Sequence, residues 1–166
     1  MRDAWILSDV QATERLGATL GRHCPWGSHG PICVFLSGDL GTGKTTIAAA
    51  ALHAVGVVEA VRSPTYALVE TYSVCCGLAV HVDLYRLADA DELEQLGLRE
   101  YLRADTLIVI EWPERAGGSL PQPDLHLRLE VAGQGRVCGV EAATVFGEAW
   151  LALVEGELAS TPSDLS

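Results

Sequence analysis

Positive charge is scarce in this chain: its 166 residues carry 11 Lys and Arg against 22 Asp and Glu, for a net charge of -11. A surface this acidic repels phosphate backbones, which excludes unaided nucleic-acid binding and leaves only a local basic patch or a partner protein as a route to RNA or DNA. The five cysteines (Cys24, Cys33, Cys75, Cys76 and Cys138) are odd in number and contain no CxxC pair. That argues against a disulfide framework and against zinc, and for free thiols in a reducing cytoplasm. Long apolar runs are missing as well. The most apolar stretch, Ile47 to Val58, is interrupted by His53 and falls short of the roughly 20 residues that cross a bilayer. The opening MRDAWILSDVQATERL has no basic region followed by an apolar one, so no signal peptide and no membrane association are expected. Neither solenoid-period repeats nor low-complexity tracts precede the C-terminal end.

With 49% hydrophobic and 20% charged residues, the chain can bury a core, and its length suits one domain, read as residues 1–158 followed by a flexible tail, 159–166. Val10, Leu16 and Leu20 recur at helical spacing behind Ser8 or Asp9, which predicts an amphipathic helix over 9–21. Ile32-Cys33-Val34-Phe35-Leu36 is wholly apolar, as is Thr106-Leu107-Ile108-Val109-Ile110 apart from its first residue, and both suit strands buried on two faces. An alanine-rich helix is expected over 45–55. Tyr66–Val74 and Leu78–Tyr85 flank Cys75-Cys76-Gly77 as a hairpin. A short helix follows, capped by Asp89 or Asp91 and stopped at Gly97. Residues 124–131 alternate, turn at 132–135 and return from Arg136 as a second hairpin. Phe146–Leu158 reads as a last helix. Buried strands joined through helices, with added hairpins, predict an α/β fold with a mixed sheet.

The strongest motif is Gly38-Asp39-Leu40-Gly41-Thr42-Gly43-Lys44-Thr45-Thr46, a full match to G-x-x-x-x-G-K-[ST]. Glycines let consecutive backbone N–H groups curl around a phosphate, and the helix that follows turns its positive end to the same anion. In such a loop Lys44 reaches the β- and γ-phosphates and the Thr45 hydroxyl ligates Mg²⁺. Asp39 gains nothing from a phosphate and should face water or a partner. Lys44 is the only lysine in the chain, placed where a compact ammonium suits a phosphate cradle. An exposed helix start is expected for it.

A phosphate loop needs an acid at the end of another buried strand, and Glu111 follows Ile110 as such a residue would. Pro113 predicts an extended Trp112 beside it. In His81-Val82-Asp83-Leu84-Tyr85-Arg86, alternation puts His81, Asp83 and Tyr85 on one strand face. Asp83 suits polarisation of an attacking or Mg²⁺-bound water; a plain strand-end residue has the same spacing. No third ligand accompanies His81 and Asp83, which argues again against zinc. Ser63 and Thr65 stand where phosphate-loop proteins often carry a γ-phosphate-sensing segment.

GDLGTGKTT, SPTYALVE, HVDLYRL and EWPE, in that order, resemble the bacterial TsaE (YjeE) family over most of the chain, from about Gln11 to Gly135-Arg136. The departures, Thr42 for the usual alanine and Ile47 for the common phenylalanine, are conservative. The resemblance implies a P-loop NTPase-like three-layer fold with a mixed, partly antiparallel central sheet. It also implies a Mg²⁺-dependent ATPase, weak alone, needed for threonylcarbamoylation of adenosine 37 in tRNAs that read codons beginning with A. TsaB and TsaD type proteins are its implied partners, and tRNA is met only through them. By the same resemblance the loop Gly38–Thr46 holds ATP, Thr45 and Glu111 hold Mg²⁺, and Lys44, Thr45, Asp83 and Glu111 serve turnover. Trp112 lies at the nucleotide, while Val10, Gly135 and Arg136 approach the adenosine. Two other classes stay open: a small-molecule kinase, although no arginine-rich lid segment precedes Glu111, and a nucleotide-dependent binding switch without significant turnover.

Overall fold

A computed structural model describes residues 2–27 and 30–160. Seven strands form one sheet: β1 (Arg2–Leu7), β2 (Ile32–Gly38), β3 (Val69–Val74), β4 (Gly77–Asp83), β5 (Thr106–Glu111), β6 (Leu125–Ala132) and β7 (Gly135–Ala142), in the order β1-β7-β6-β2-β5-β4-β3. The centre is parallel, with β2 between β6 and β5 and with β5 beside β4. Both flanks are antiparallel: β1 and β6 pair with β7, and β3 pairs with β4. The sheet is therefore mixed, as expected. β1 is an element the sequence reading did not anticipate.

Among the described residues four helices, α1 (Val10–Arg22), α2 (Lys44–Ala54), α3 (Ala90–Gln95) and α4 (Val145–Ser160), cover the sheet. Alternation along the central strands decides which residues meet which layer. Ile32, Val34 and Leu36 of β2 and Leu107 and Val109 of β5 face α1, α2 and α4, joining Leu16, Leu20, Ile47, Leu52 and Trp150. Cys33, Ile108 and Ile110 face the other way, with Val80, Val82 and Leu84, under Leu93 of α3 and the 3₁₀ turns Leu98–Tyr101 and Pro113–Ala116. Helical cover on both faces gives three layers.

The caps follow the residues. Asp9 accepts the Ala12 N–H at 2.7 Å and starts α1, and Asp89 accepts the Glu92 N–H at 3.0 Å and starts α3. Gly97 ends that helix with a φ of 65°. α4 extends to Ser160, two residues into the expected tail, and the remainder of that tail, 161–166, lies outside the described residues. No helix among the described residues is long and apolar enough to cross a membrane.

Candidate functional site

The parallel strands β2, β4 and β5 end together, and their carboxyl ends frame the site. β2 runs into the loop Gly38–Gly43, which turns into α2. Glycine is needed at Gly38: its φ is 140°, and a Cβ there would stand 2.3 Å from the Leu129 carbonyl oxygen of the neighbouring strand. Gly43 has a φ of 104° and caps α2 without any side-chain acceptor. The first-turn N–H groups of α2 are thus left for an anion.

Lys44 opens α2 but is not exposed as expected: only 4% of it is accessible. Its Nζ donates to the Gly38 carbonyl at 2.7 Å and the Asp39 carbonyl at 2.8 Å, and lies 4.0 Å from the centre of the Trp112 ring. The stem folds back under the loop because two carbonyls and an aromatic face receive the ammonium there. Burial pushes its pKa below the ordinary 10.5, and the carboxylates of Glu111, Glu114, Asp83 and Asp39 oppose that shift.

Asp83 and Glu111 are direct partners in the β4–β5 register, and both are buried. The Thr45 hydroxyl donates to Glu111 Oε2 at 3.0 Å, and His81 Nε2 lies 2.8 Å from Glu111 Oε1. Asp83 Oδ2 accepts from the Ser63 hydroxyl, and Oδ1 accepts the Tyr85 N–H at 2.9 Å. One cavity of about 440 Å³ gathers Leu40, Gly41, Gly43, Lys44, Thr45 and Thr46 with Ser63, Thr65, Asp83, Glu111, Trp112 and Arg136. Its size suits a nucleotide-sized ligand.

Trp112 corrects an expectation. It is not extended: its φ is 58° and ψ 47°, a left-handed turn. The chain must leave β5 abruptly, and the Trp112 N–H, donating to the Leu36 carbonyl at 3.1 Å, fixes the reversal. The turn places the indole over Lys44 and against the Tyr85 ring, with centroids 4.9 Å apart. Leu68, also on the cavity wall, has a φ of 61°. Strained non-glycine backbone of this kind concentrates at functional sites.

Not every expected residue lines the cavity. Thr42 is buried within the loop and donates to the Asp39 carbonyl at 2.8 Å, whereas the Asp39 side chain is exposed. Val10, the first residue of α1, is 49% exposed and does not reach the cavity wall. Nor does Gly135, where a Cβ would stand 2.6 Å from the Leu7 carbonyl oxygen. Arg136 does, and its buried Nε has no hydrogen-bond partner. Leu68, Tyr85 and Arg86 also line the cavity; they lie within SPTYALVE and HVDLYRL but carry no expected role at the nucleotide, and for Tyr85 the alternation with Asp83 is the available signal.

The donors suit the implied ligands. Thr45 and Glu111 offer hard oxygens to a magnesium-sized ion, and Lys44 with the open α2 terminus suits phosphate. Such an arrangement invites comparison with known phosphate-loop proteins. A family model described as "Threonylcarbamoyl adenosine biosynthesis protein TsaE" matches residues 7–138. The tRNA threonylcarbamoyladenosine biosynthesis protein TsaE of Haemophilus influenzae is 42% identical over 117 residues, covering 70% of this chain and 74% of that protein. Its counterpart in Treponema pallidum is 34% identical over 130 residues, covering 78% and 93%. The crystal structure of Bacillus subtilis YdiB superposes with a TM-score of 0.72 at 20% identity, covering 93% of this chain and 95% of that one, which supports the fold alone. The matched span holds the loop, Asp83, Glu111 and Arg136 together, and on that match the chain belongs to the TsaE family.

Proposed function

We propose that this protein binds ATP with Mg²⁺ and hydrolyses it in support of N6-threonylcarbamoylation of adenosine 37 in tRNAs that read codons beginning with A. It does so in the cytoplasm, on a complex of TsaB and TsaD type proteins. The observation that carries the reading is the convergence of Lys44, Thr45, Asp83 and Glu111 on one cavity beside an uncapped helix start. Lys44 neutralises phosphate charge from beneath the loop, braced by the Trp112 face. Thr45 and Glu111 are the residues that would hold Mg²⁺, whose charge would draw electron density from the phosphate oxygens. Asp83, anchored by Ser63 and the Tyr85 amide, accepts a hydrogen bond from the water that attacks the γ-phosphorus as the bond to the β-phosphate oxygen breaks. Arg136 lies against the loop near Gly43, within reach of the nucleotide.

The net charge of -11 favours protein partners over direct tRNA contact. Lys44→Ala is expected to cut ATP affinity at least about tenfold, since it removes a charge-assisted contact of about 1.5–3 kcal/mol. Calorimetry with ATP and Mg²⁺ checks this, and wild-type affinity would sink the assignment. Phosphate release with and without the TsaB and TsaD pair separates an ATPase from a binding switch. Transfer of the γ-phosphate to a small hydroxyl compound in place of release would favour a kinase. Gel filtration with the pair, in ADP and in a non-hydrolysable ATP analogue, should show nucleotide-dependent association. Filter binding to tRNA alone should show little.

A further inference from the structure

His81 is the one fully buried imidazole among the described residues, at 0% exposure, and nothing above gives it a task. Its neighbours on β4, Val80 and Val82, are apolar and equally buried. A leucine would fill the same space without the cost of burying a polar ring. What the ring gains is one contact: Nε2 lies 2.8 Å from Glu111 Oε1, while Nδ1 has no partner. A histidine serving only the core would be expected to satisfy both nitrogens.

We propose that His81 is a positioning residue for Glu111: its buried imidazole holds the carboxylate so that Oε2 meets the phosphate-loop hydroxyl of Thr45. The proposal rests on the ATP and Mg²⁺ reading above. The register makes the contact possible. Asp83 pairs with Glu111 across β4 and β5, and His81, two residues back on β4, presents its ring on the same face. Glu111 is 2% exposed, and a buried carboxylate needs each oxygen satisfied. A carboxylate only accepts, so His81 donates from Nε2 to Oε1 and Thr45 donates its hydroxyl proton to Oε2 at 3.0 Å.

The consequence falls on Thr45. With its proton committed to Glu111, the hydroxyl oxygen keeps its lone pairs for a hard cation on the cavity side. Without the imidazole, Glu111 Oε1 loses its donor and the carboxylate is free to swing away from Thr45. His81 thus sets the geometry of a cation site without touching the cation or the nucleotide. Residues that orient ligating carboxylates in this way typically govern about ten- to hundredfold in metal affinity or activity.

Two variants of the full chain test it. His81→Leu keeps bulk and removes the donor, whereas His81→Gln keeps an N–H at similar reach. ATP affinity is measured by calorimetry in EDTA and in Mg²⁺. In EDTA, His81→Leu should match the wild type, but the gain in affinity that Mg²⁺ adds should shrink about ten- to hundredfold. His81→Gln should recover most of that gain. A folded His81→Leu protein with the full Mg²⁺-dependent gain would overturn the proposal, and so would a failure of His81→Gln to recover any. The imidazole ¹⁵N spectrum of the wild type decides the point even if His81→Leu does not fold. A proton on Nε2 is expected, and an Nε2 without a proton would overturn the contact. That spectrum needs neither ATP nor Mg²⁺, so wild-type protein that fails to bind them sinks the functional reading and leaves the His81–Glu111 pair to be judged on its own.

Discussion

The cavity end of the sheet and the helical seam behind it are built on opposite terms. At the cavity, Lys44, His81, Asp83 and Glu111 are all buried, and of the three non-glycine residues with positive φ among the described residues, two, Leu68 and Trp112, stand on its wall. Buried polar groups and strained backbone each work against folding. Across the α1–α2 seam the alanines Ala50 and Ala54 face Gly17 and Gly21, which let the helices close. A Cβ on Gly17 would come 2.5 Å from the Ile47 carbonyl oxygen, and one on Gly21 would come 2.4 Å from that of Ala51. Trp150 of α4 lies beneath, donating its indole N–H to the Leu20 carbonyl at 3.1 Å. One region carries the chemistry at a cost in stability; the other offsets that cost and has no reactive group in it.

If that division holds, changes at the cavity lose function while the fold survives, and changes at the seam do the reverse. The largest expected effect is Glu111→Gln. It keeps the side-chain shape but removes the charge between Thr45 and His81. Turnover with the partner pair should fall about a hundredfold, close to 2.7 kcal/mol of transition-state stabilisation, with a smaller loss of nucleotide affinity. Its melting temperature should stay near the wild type or rise, because a buried charge is gone. Unchanged turnover would make Glu111 an ordinary strand-end residue. A collapse of the fold would mean that the cavity contributes to stability after all.

At the seam, Gly21→Ala should cost stability and leave ATP affinity at 10 °C unchanged. The methyl gains helix propensity, about 0.5–1 kcal/mol, but a backbone oxygen 2.4 Å away cannot rotate aside as a side chain would. Overpacking of about 1–3 kcal/mol therefore wins, and a thermal melt should shift down by a few degrees. A stabilised variant would show that the helices can separate at little cost.

Local chemistry made most elements of both regions legible. The wholly apolar β2, the glycine loop, the Asp89 cap and the Gly97 stop each carry their own signal, and the structure follows them. Sheet order does not: β6 and β7 read as a lone hairpin, and only the assembled sheet shows β6 parallel to β2. β1 carries no such signal: Arg2 and Asp3 break its alternation in the sequence, and an edge strand with an irregular register takes its conformation from its partner β7. In the cavity, motif spacing pointed to Lys44, Thr45 and Glu111. It could not foresee that Lys44 is buried, that Trp112 turns left-handed, or that His81 meets Glu111. Those depend on contacts between β4, β5 and α2, which lie far apart along the chain.

The smallest effect sharpens the comparison by giving the seam an ionic edge. Glu157 of α4 accepts from Arg22 Nε at 3.1 Å and from the Thr19 hydroxyl at 3.3 Å, and lies 2.7 Å from His23 Nε2, tying α4 to the end of α1. Donation by Arg22 holds its carboxyl below the ordinary value of 4.5, although partial burial works the other way. A depressed folded-state pKa means that the stabilisation is fully present above the unfolded value, near 4.5, and fades as pH falls through the lower folded value. The Glu157 side chain is 33% exposed, so solvent screening keeps the contribution under about 1 kcal/mol. Glu157→Gln should thus melt only a degree or two below the wild type at pH 7, with the gap closing as the buffer is taken towards pH 3 and narrowing in molar salt. A gap that persists unchanged in acid and in salt would mean that Glu157 holds α4 through packing of its stem, and that the seam is apolar to its edge.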